Sequence, residues 1–284
     1  MRSKRNYIYF LVLAACSSTA TYFVSHSSAQ PGTANNDYQI GATLYMQKAA
    51  EYRAMAYQSY NIARWRLDMD LAGKTRNDIP KTERKKARAI MVDIDETVLD
   101  NSAYQGQSIV QHQGFDVKSW YAFGELRKSK AVPGAVDFLN YAVSKGVKVF
   151  FVSNRDEPQK QATIDNLKNV GFKEVGPDNV LLRQLGPDGR PVTSSKQPRR
   201  EMIGQKYRIV FFMGDNLDDH AVDYERKSIA ERFALVDRDR DLFGKKYILL
   251  PNAMYGTWEN ALYEYKNLSD ADKAKTRLSL LELP

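Results

Sequence analysis

The chain has 284 residues, of which 43% are hydrophobic, and it carries a formal net charge of +8. This length allows one large or two smaller domains, since a single core stops growing at roughly 250–300 residues. Its 16 Gly and 10 Pro exclude collagen-like and low-complexity chains, and its single Cys excludes an intramolecular disulfide and a cysteine-based zinc cluster.

The first 15 residues are typical of a secretory signal. Three basic residues precede an apolar stretch, 7–15, that is too short to span a membrane. The segment Leu13-Ala14-Ala15-Cys16 resembles the bacterial lipobox, in which the cysteine is lipidated and becomes the first mature residue. We therefore expect an exported protein of the outer membrane or periplasm, anchored to the membrane by lipid at Cys16, with residues 16–37 as a flexible tether. The alternative is cleavage near Ala29, which would release a soluble periplasmic or secreted protein.

Residues 38–284 are predicted to form the folded domain. Apolar residues recur at threes and fours from Thr43 to Leu71, which predicts one long amphipathic helix. Further along the chain, apolar stretches without polar alternation predict the strands of a parallel sheet covered on both faces, namely Ala89–Val92, Val147–Val152 and Arg208–Met213. Helical patterns at Gly134–Ser144 and Pro158–Val170 separate them, and a fourth stretch, Phe233–Val236, could extend the sheet. The predicted fold is α/β with a doubly wound parallel sheet.

Each predicted strand ends in polar residues that could carry chemistry. Asp93 and Asp95 follow the first strand, Ser153 ends the second, and Asp215 follows the third. Ligands gather at the carboxyl ends of parallel strands, so we expect these residues to share one site. One carboxylate could attack a phosphate ester while the other moves the proton, and their mutual repulsion requires a cation such as Mg²⁺. Lys196 could neutralise the phosphoryl group.

In order and spacing, the segments Asp93-x-Asp95-x-Thr97, Ser153, Lys196 and Gly214-Asp215-x-x-x-Asp219 resemble the four motifs of the haloacid-dehalogenase (HAD) phosphohydrolases. Val-Ser-Asn-Arg at 152–155 and Pro-Asn-Ala-Met-Tyr-Gly at 251–256 are similar to segments of the class C bacterial acid phosphatases, which include lipoprotein 5′-nucleotidases. The resemblance covers about residues 40–265. It implies a HAD-like core with a smaller helical cap region, inserted at about residues 98–131.

This resemblance implies a role for each matched residue. Asp93 would be the nucleophile and a metal ligand, and Asp95 the acid/base, with its backbone carbonyl on Mg²⁺. Asp215 would be a second carboxylate ligand, and Asp219 would act in the outer shell of the metal. The remaining catalytic residues would be Ser153 and Lys196.

The resemblance also implies residues that bind the leaving group. Trp120 and Tyr255 would hold a nucleoside base between their rings, and Asn154 would contact the substrate. The alternative for both rings is ordinary packing in the core. His220 is expected to be structural, with a place near the leaving group as the alternative, and Asp218 is expected to be a solvated residue at the start of a helix.

The sequence therefore predicts an exported, Mg²⁺-dependent acid phosphatase that hydrolyses phosphomonoesters, in particular nucleoside 5′-monophosphates, through an aspartyl-phosphate intermediate. The alternatives are a HAD phosphatase or phosphotransferase for sugar phosphates or other small monoesters, and a non-catalytic surface-binding lipoprotein. No nucleic-acid polymer is expected as a partner, since no stripe of basic and aromatic residues is present. The resemblance also suggests a homodimer.

Overall fold

The computed structural model describes residues 36–284, and its centre is a parallel sheet of five strands. In chain order these strands are Ala87–Val92 (β1), Lys148–Asp156 (β4), Val180–Arg183 (β5), Tyr207–Gly214 (β6) and Tyr247–Leu249 (β7). Their order across the sheet is β5-β4-β1-β6-β7, and every neighbouring pair is parallel. A short antiparallel pair, Leu99–Asp100 (β2) and Lys130–Ala131 (β3), forms a second sheet. The predicted α/β fold with a parallel sheet is confirmed.

Helices surround the sheet in the described residues. They are Ile40–Lys48 (α1), Ala50–Leu71 (α2), Ser102–Val110 (α3), Val117–Glu125 (α4), Ala135–Ser144 (α5), Lys160–Asn169 (α6), Gln197–Lys206 (α7), Ile229–Arg238 (α8), Thr257–Leu262 (α9) and Asp270–Ser279 (α10). The two helices α3 and α4 lie between β2 and β3, in the stretch where the sequence predicts an insert. Between residues 36 and 284, no helix is long and apolar enough to cross a membrane.

Two apolar clusters bury the two faces of the sheet. Alternate residues of β1 point to opposite sides, so Ile90 packs with Leu67 of α2 and Leu139 of α5, while Met91 packs with Ile203 of α7. Because both faces are covered, the central residues of β1, β4 and β6 are apolar on both sides and lack polar alternation.

Two predictions of secondary structure are wrong. The long helix over Thr43–Leu71 is divided at Ala49, whose extended conformation (φ −75°, ψ 128°) ends α1 and begins α2. The stretch Phe233–Val236 lies inside α8 and not in the sheet. A capping box between Ser228 and Glu231 starts that helix, and Phe233 is 68% exposed.

The predicted signal at 1–15, the lipidated Cys16 and the alternative cleavage site near Ala29 lie outside the described residues and stay predictions. At the end of the predicted tether, Asp37 instead begins a 3₁₀ turn, Asp37–Gln39, that leads into α1.

A buried ion cluster fastens the end of α2 to the sheet. The carboxylate of Asp70 is 3% exposed and accepts hydrogen bonds from Arg88 of β1 at 2.6 Å and from Arg208 of β6 at 2.7 and 2.8 Å. Burial alone would raise the pKa of Asp70, but the hydrogen bonds from Arg208 and Arg88 outweigh it and lower the pKa to about 2.

We predict that Asp70→Asn lowers the free energy of unfolding at pH 7 by roughly 3 kcal/mol, because two guanidinium groups lose their carboxylate. The folded-state pKa lies below the unfolded value of about 3.9, so this stabilisation is complete above that pH and is lost as the pH falls towards 2. Urea unfolding at several pH values should show that the difference in free energy of unfolding between the wild-type protein and Asp70→Asn becomes smaller as the pH falls. Asp68→Asn, at an exposed position of the same helix, is the control. A difference independent of pH, or an equal effect of Asp68→Asn, would contradict the prediction.

Candidate active site

Two aspartates meet where β1 and β6 end. The backbone N–H of Asp93 donates to the carbonyl of Met213 at 2.9 Å, so the pairing of the two strands continues to the edge of the sheet. Asp215 follows one residue after the end of β6. Carboxylate oxygens of Asp93, Asp215 and Asp219 all lie within 4.8 Å of one another.

A buried lysine holds this cluster together. Lys196 is the residue before α7, its side chain is 6% exposed, and its ammonium donates to Asp93 and, at 2.6 Å, contacts Asp219. Burial alone would lower the pKa of Lys196, but the two carboxylates outweigh it and raise the pKa, so the ammonium stays charged. Arg199 and Arg200, further along α7, donate to backbone carbonyls and not to Asp93.

Three carboxylates lie near one ammonium, and the pKa values of Asp93 and Asp215 are raised. Burial raises the pKa of Asp93 well above its usual range, with Lys196 opposing and Asp219 adding to the rise. Burial and the charge of Asp219 raise the pKa of Asp215 to about 7. A divalent cation would relieve this repulsion, and a set of carboxylate oxygens is the donor set that hard cations prefer. The cluster can therefore hold a metal ion.

Three further side chains contact Asp215, and one of them is that of its neighbour Asn216, which donates to Oδ2 at 2.8 Å. Asn252 donates to the same Oδ2 at 2.8 Å, and Thr97 lies between the two strand ends, with its hydroxyl 3.4 Å from Asp93 and 3.3 Å from Asp215. Asn252 was not predicted as a site residue, although it stands in the segment 251–256 that carries the family resemblance.

Asp219 is positioned by the backbone next to Gly214. Its carboxylate accepts the N–H of Asn216 at 3.0 Å while it also faces Lys196. A Cβ atom at Gly214 would lie 2.3 Å from Cβ of Asp219, so only glycine leaves room for this side chain.

Residues of β4 and the loop before α3 surround the side chain of Asp95. It accepts hydrogen bonds from Ser153 at 2.9 Å, from Arg155 at 2.9 Å and from Asn101 at 2.8 Å. The hydroxyl of Ser153, predicted to be a catalytic residue, contacts Asp95 in this structure. Arg155 was not predicted as a site residue, although it stands in the segment 152–155 that carries the family resemblance.

These groups line one cavity of about 950 Å³, together with the predicted leaving-group residues Trp120, Tyr255 and Asn154. Trp120 also packs on Tyr104 with ring centroids 5.0 Å apart, and the guanidinium of Arg155 lies 5.1 Å from its ring. The amide of Asn154 donates to the carbonyl of Ser194 and accepts from Arg199.

The two neighbours of Asp219 in the chain, Asp218 and His220, have structural partners. His220 is buried against the rings of Tyr247 and Phe243, and burial lowers its pKa to about 4, so the imidazole is neutral. Asp218, expected to be solvated, is instead half-buried, and it accepts from Thr257 at 3.2 Å and from Arg232 at 3.4 Å.

Comparison with known proteins identifies the family. The family model for the HAD superfamily, subfamily IIIB (acid phosphatase), matches residues 11–258. The chain belongs to this family. The predicted family is therefore confirmed, and the predicted enzyme class, a phosphoric monoester hydrolase, is the class of this family.

Solved and curated relatives agree with the subfamily IIIB assignment. The class C acid phosphatase from Bacillus anthracis is 38% identical, with a TM-score of 0.78 over 87% of this chain and 98% of that one. A structure of that enzyme with tungstate bound aligns equally well. Acid phosphatase 1 of Solanum lycopersicum is 29% identical over 128 residues, which span 45% of this chain and 49% of the tomato protein. That match covers about half the length of the curated relative.

We predict that Gly214→Ala lowers phosphomonoester hydrolysis about a hundredfold, because the added methyl group pushes Asp219 away from Lys196 and misplaces the charged cluster. Release of a chromogenic phenol from its phosphate ester measures this loss. Gly204→Ala, on α7 with no atom within 4 Å of the new methyl group, is the matched control and should retain activity. A folded Gly214→Ala protein with normal turnover would show that the close approach of Asp219 does not matter.

Proposed function

We propose that this chain is a Mg²⁺-dependent phosphatase that transfers the phosphoryl group of a phosphomonoester to Asp93 and then to water. The observation that carries the proposal is the buried cluster in which Lys196 joins Asp93 to Asp219 beside Asp215. Membership of the subfamily IIIB acid phosphatases supports the same reaction.

Asp93 and Asp215 would hold the metal through their carboxylates, with the backbone carbonyl of Asp95 as a further ligand. Asp219 would stay in the outer shell, which its contacts with Lys196 and the N–H of Asn216 support. When bound, Mg²⁺ supplies positive charge that offsets the carboxylates and the incoming phosphate.

In the first step, a carboxylate oxygen of Asp93 forms a bond to phosphorus while the bond from phosphorus to the leaving oxygen breaks. Asp95 donates a proton to that oxygen, so the leaving group departs as an alcohol. The ammonium of Lys196 offsets negative charge on the phosphoryl group and keeps the Asp93 carboxylate in place. Ser153 and Arg155 orient Asp95 for the transfer.

In the second step, water attacks the phosphorus of the aspartyl-phosphate and gives its proton to Asp95. The bond between phosphorus and the Asp93 oxygen breaks, which restores the carboxylate and releases inorganic phosphate. The net reaction consumes one ester and one water and yields one alcohol and one phosphate.

We expect Asp93→Asn to lower phosphate release from AMP in the presence of Mg²⁺ by more than about a thousandfold, since an amide is a poor nucleophile and a weaker metal ligand. Phosphate release with Mg²⁺, and again after EDTA treatment, measures both requirements. Asp223→Asn, at an exposed position outside the cavity, is the control. Near-normal turnover by Asp93→Asn would refute the mechanism.

We further propose nucleoside 5′-monophosphates as the substrates. The support is that two aromatic side chains, Trp120 and Tyr255, line the same cavity as Asp93. Stacking of a base on an aromatic ring tolerates different bases, so broad nucleotide specificity would follow. A preference for sugar phosphates is the alternative, since those substrates have no base to stack.

On this basis Trp120→Ala should lower kcat/KM for AMP about tenfold, because a stacked base contributes about 1–3 kcal/mol, and should lower kcat/KM for ribose 5-phosphate much less. Because Trp120 also packs on Tyr104, thermal unfolding of the variant separates lost stability from lost binding. Trp65→Ala, at a 61% exposed position on α2, is the control. An equal fall for both substrates would count against base stacking.

A further inference from the structure

One wall of the active-site cavity is basic, and the proposed mechanism does not use it. We call this set the basic wall, and it consists of Arg226, Lys273 and Arg277, all of which line the cavity. Lys273 and Arg277 stand one turn apart on α10, and Arg226 lies in the segment before α8. Two of its members therefore come from the last helix of the chain.

Each cation of the basic wall lies near the face of a tyrosine ring. The distances from charged group to ring centroid are 3.7 Å for Arg277 and Tyr38, 5.6 Å for Lys273 and Tyr263, and 5.2 Å for Arg226 and Tyr265. A cation above a ring is stabilised by the electrons of the ring, while most of its N–H groups stay available to an acceptor.

Within residues 36–284, none of these three side chains forms an ion pair, because no carboxylate oxygen lies within 4.0 Å of its charged nitrogen atoms. Arg277 donates one hydrogen bond, to the hydroxyl of Tyr263 at 2.7 Å. The nearby carboxylate of Glu259 accepts from the hydroxyls of Tyr38 and Tyr263. Asp270 also lines the cavity, without an ion pair to any of the three cations. The positive charge of the basic wall is therefore not neutralised by close ion pairs.

Part of this wall is held in place by a network that joins three separate segments. Tyr38 donates to Glu259 of α9 at 2.7 Å, Tyr263 donates to the same carboxylate at 3.1 Å, and Arg277 of α10 contacts both tyrosines. The network links the 3₁₀ turn before α1 to both C-terminal helices. Arg277 is thus presented to the cavity by fixed partners and not as a free surface side chain.

The basic wall is a local group of three cations in a cavity whose lining also contains carboxylates, among them Glu225, Glu259 and Asp270. The phosphate that reacts at Asp93 is met by Lys196 and the metal, which leaves the three cations of the basic wall for another anion. The volume of about 950 Å³ lies near the upper end for small-molecule pockets and leaves room for a leaving group with a second substituent. We propose that the basic wall binds a second phosphate group, carried by the leaving group, so that the enzyme favours bisphosphorylated esters over monophosphates. This inference rests on the proposed phosphatase function.

The test compares kcat/KM for adenosine 3′,5′-bisphosphate with kcat/KM for AMP. We expect the wild-type enzyme to favour the bisphosphate about tenfold, because charge-assisted hydrogen bonds to phosphate contribute on the order of one factor of ten. Lys273→Ala should remove most of that preference, and phosphorus NMR should show that the 5′-phosphate is the group released. Fructose 1,6-bisphosphate against fructose 6-phosphate is a second pair. A preference for the bisphosphate in either pair that Lys273→Ala removes supports the proposal, and a preference in both shows that no base is required.

Lys275→Ala is the matched control, because it removes the same charge from the same helix at a position that is 81% exposed and outside the cavity. Equal kcat/KM for bisphosphate and monophosphate in both pairs, or an equal loss of preference in Lys275→Ala, would overturn the proposal. In that case normal turnover of AMP would leave the phosphatase function intact, whereas absence of turnover with every ester would refute that function itself.

Discussion

The site depends on one buried ammonium group. It belongs to Lys196, and it contacts both Asp93 and Asp219. Burying several carboxylates together is costly unless opposite charge and hydrogen bonds meet them. Lys196 supplies one positive charge from the start of α7, and a bound cation would supply more. Burial, together with the neighbouring carboxylates, raises the pKa values of Asp93 and Asp215. In the proposed mechanism, a metal ion and the phosphate would complete the partners of Asp93.

The order of the strands places different groups on the two sides of Asp93. Because β1 lies in the middle, Asp93 has β6 on one side and β4 on the other. The β6 side gathers the charged groups, with Asp215 and Asp219 in the loop that follows the strand. The β4 side provides Ser153 and Arg155, which hold Asp95 by its side chain. The topology therefore gives Asp93 and Asp95 different surroundings, although they are two residues apart in the chain, and the proposed division of attack and proton transfer between them fits this difference.

The parts of the fold that depend on local pattern could be predicted from the sequence. Long apolar runs indicated β1, β4 and β6, and with them the residues at their carboxyl ends. The strands β5 and β7 have only four and three residues, too few to stand out. No Gly or Pro marks the break at Ala49, which tertiary packing imposes. Arg155 stands in a motif segment, but its role depends on the direction of its side chain, which spacing along the chain does not define.

The proposed chemistry and part of the proposed leaving-group recognition come from different parts of this chain. The reacting groups lie on the parallel sheet, inside the stretch 11–258 that matches the family. The helix α10, which begins at Asp270, lies beyond that stretch and still supplies Lys273 and Arg277 to the cavity. The match to the family model therefore includes Asp93 and Arg226 but not the other two members of the basic wall. Discrimination between esters that react identically at phosphorus must come from contacts of the leaving group, and the proposed contacts include Lys273 and Arg277 of α10.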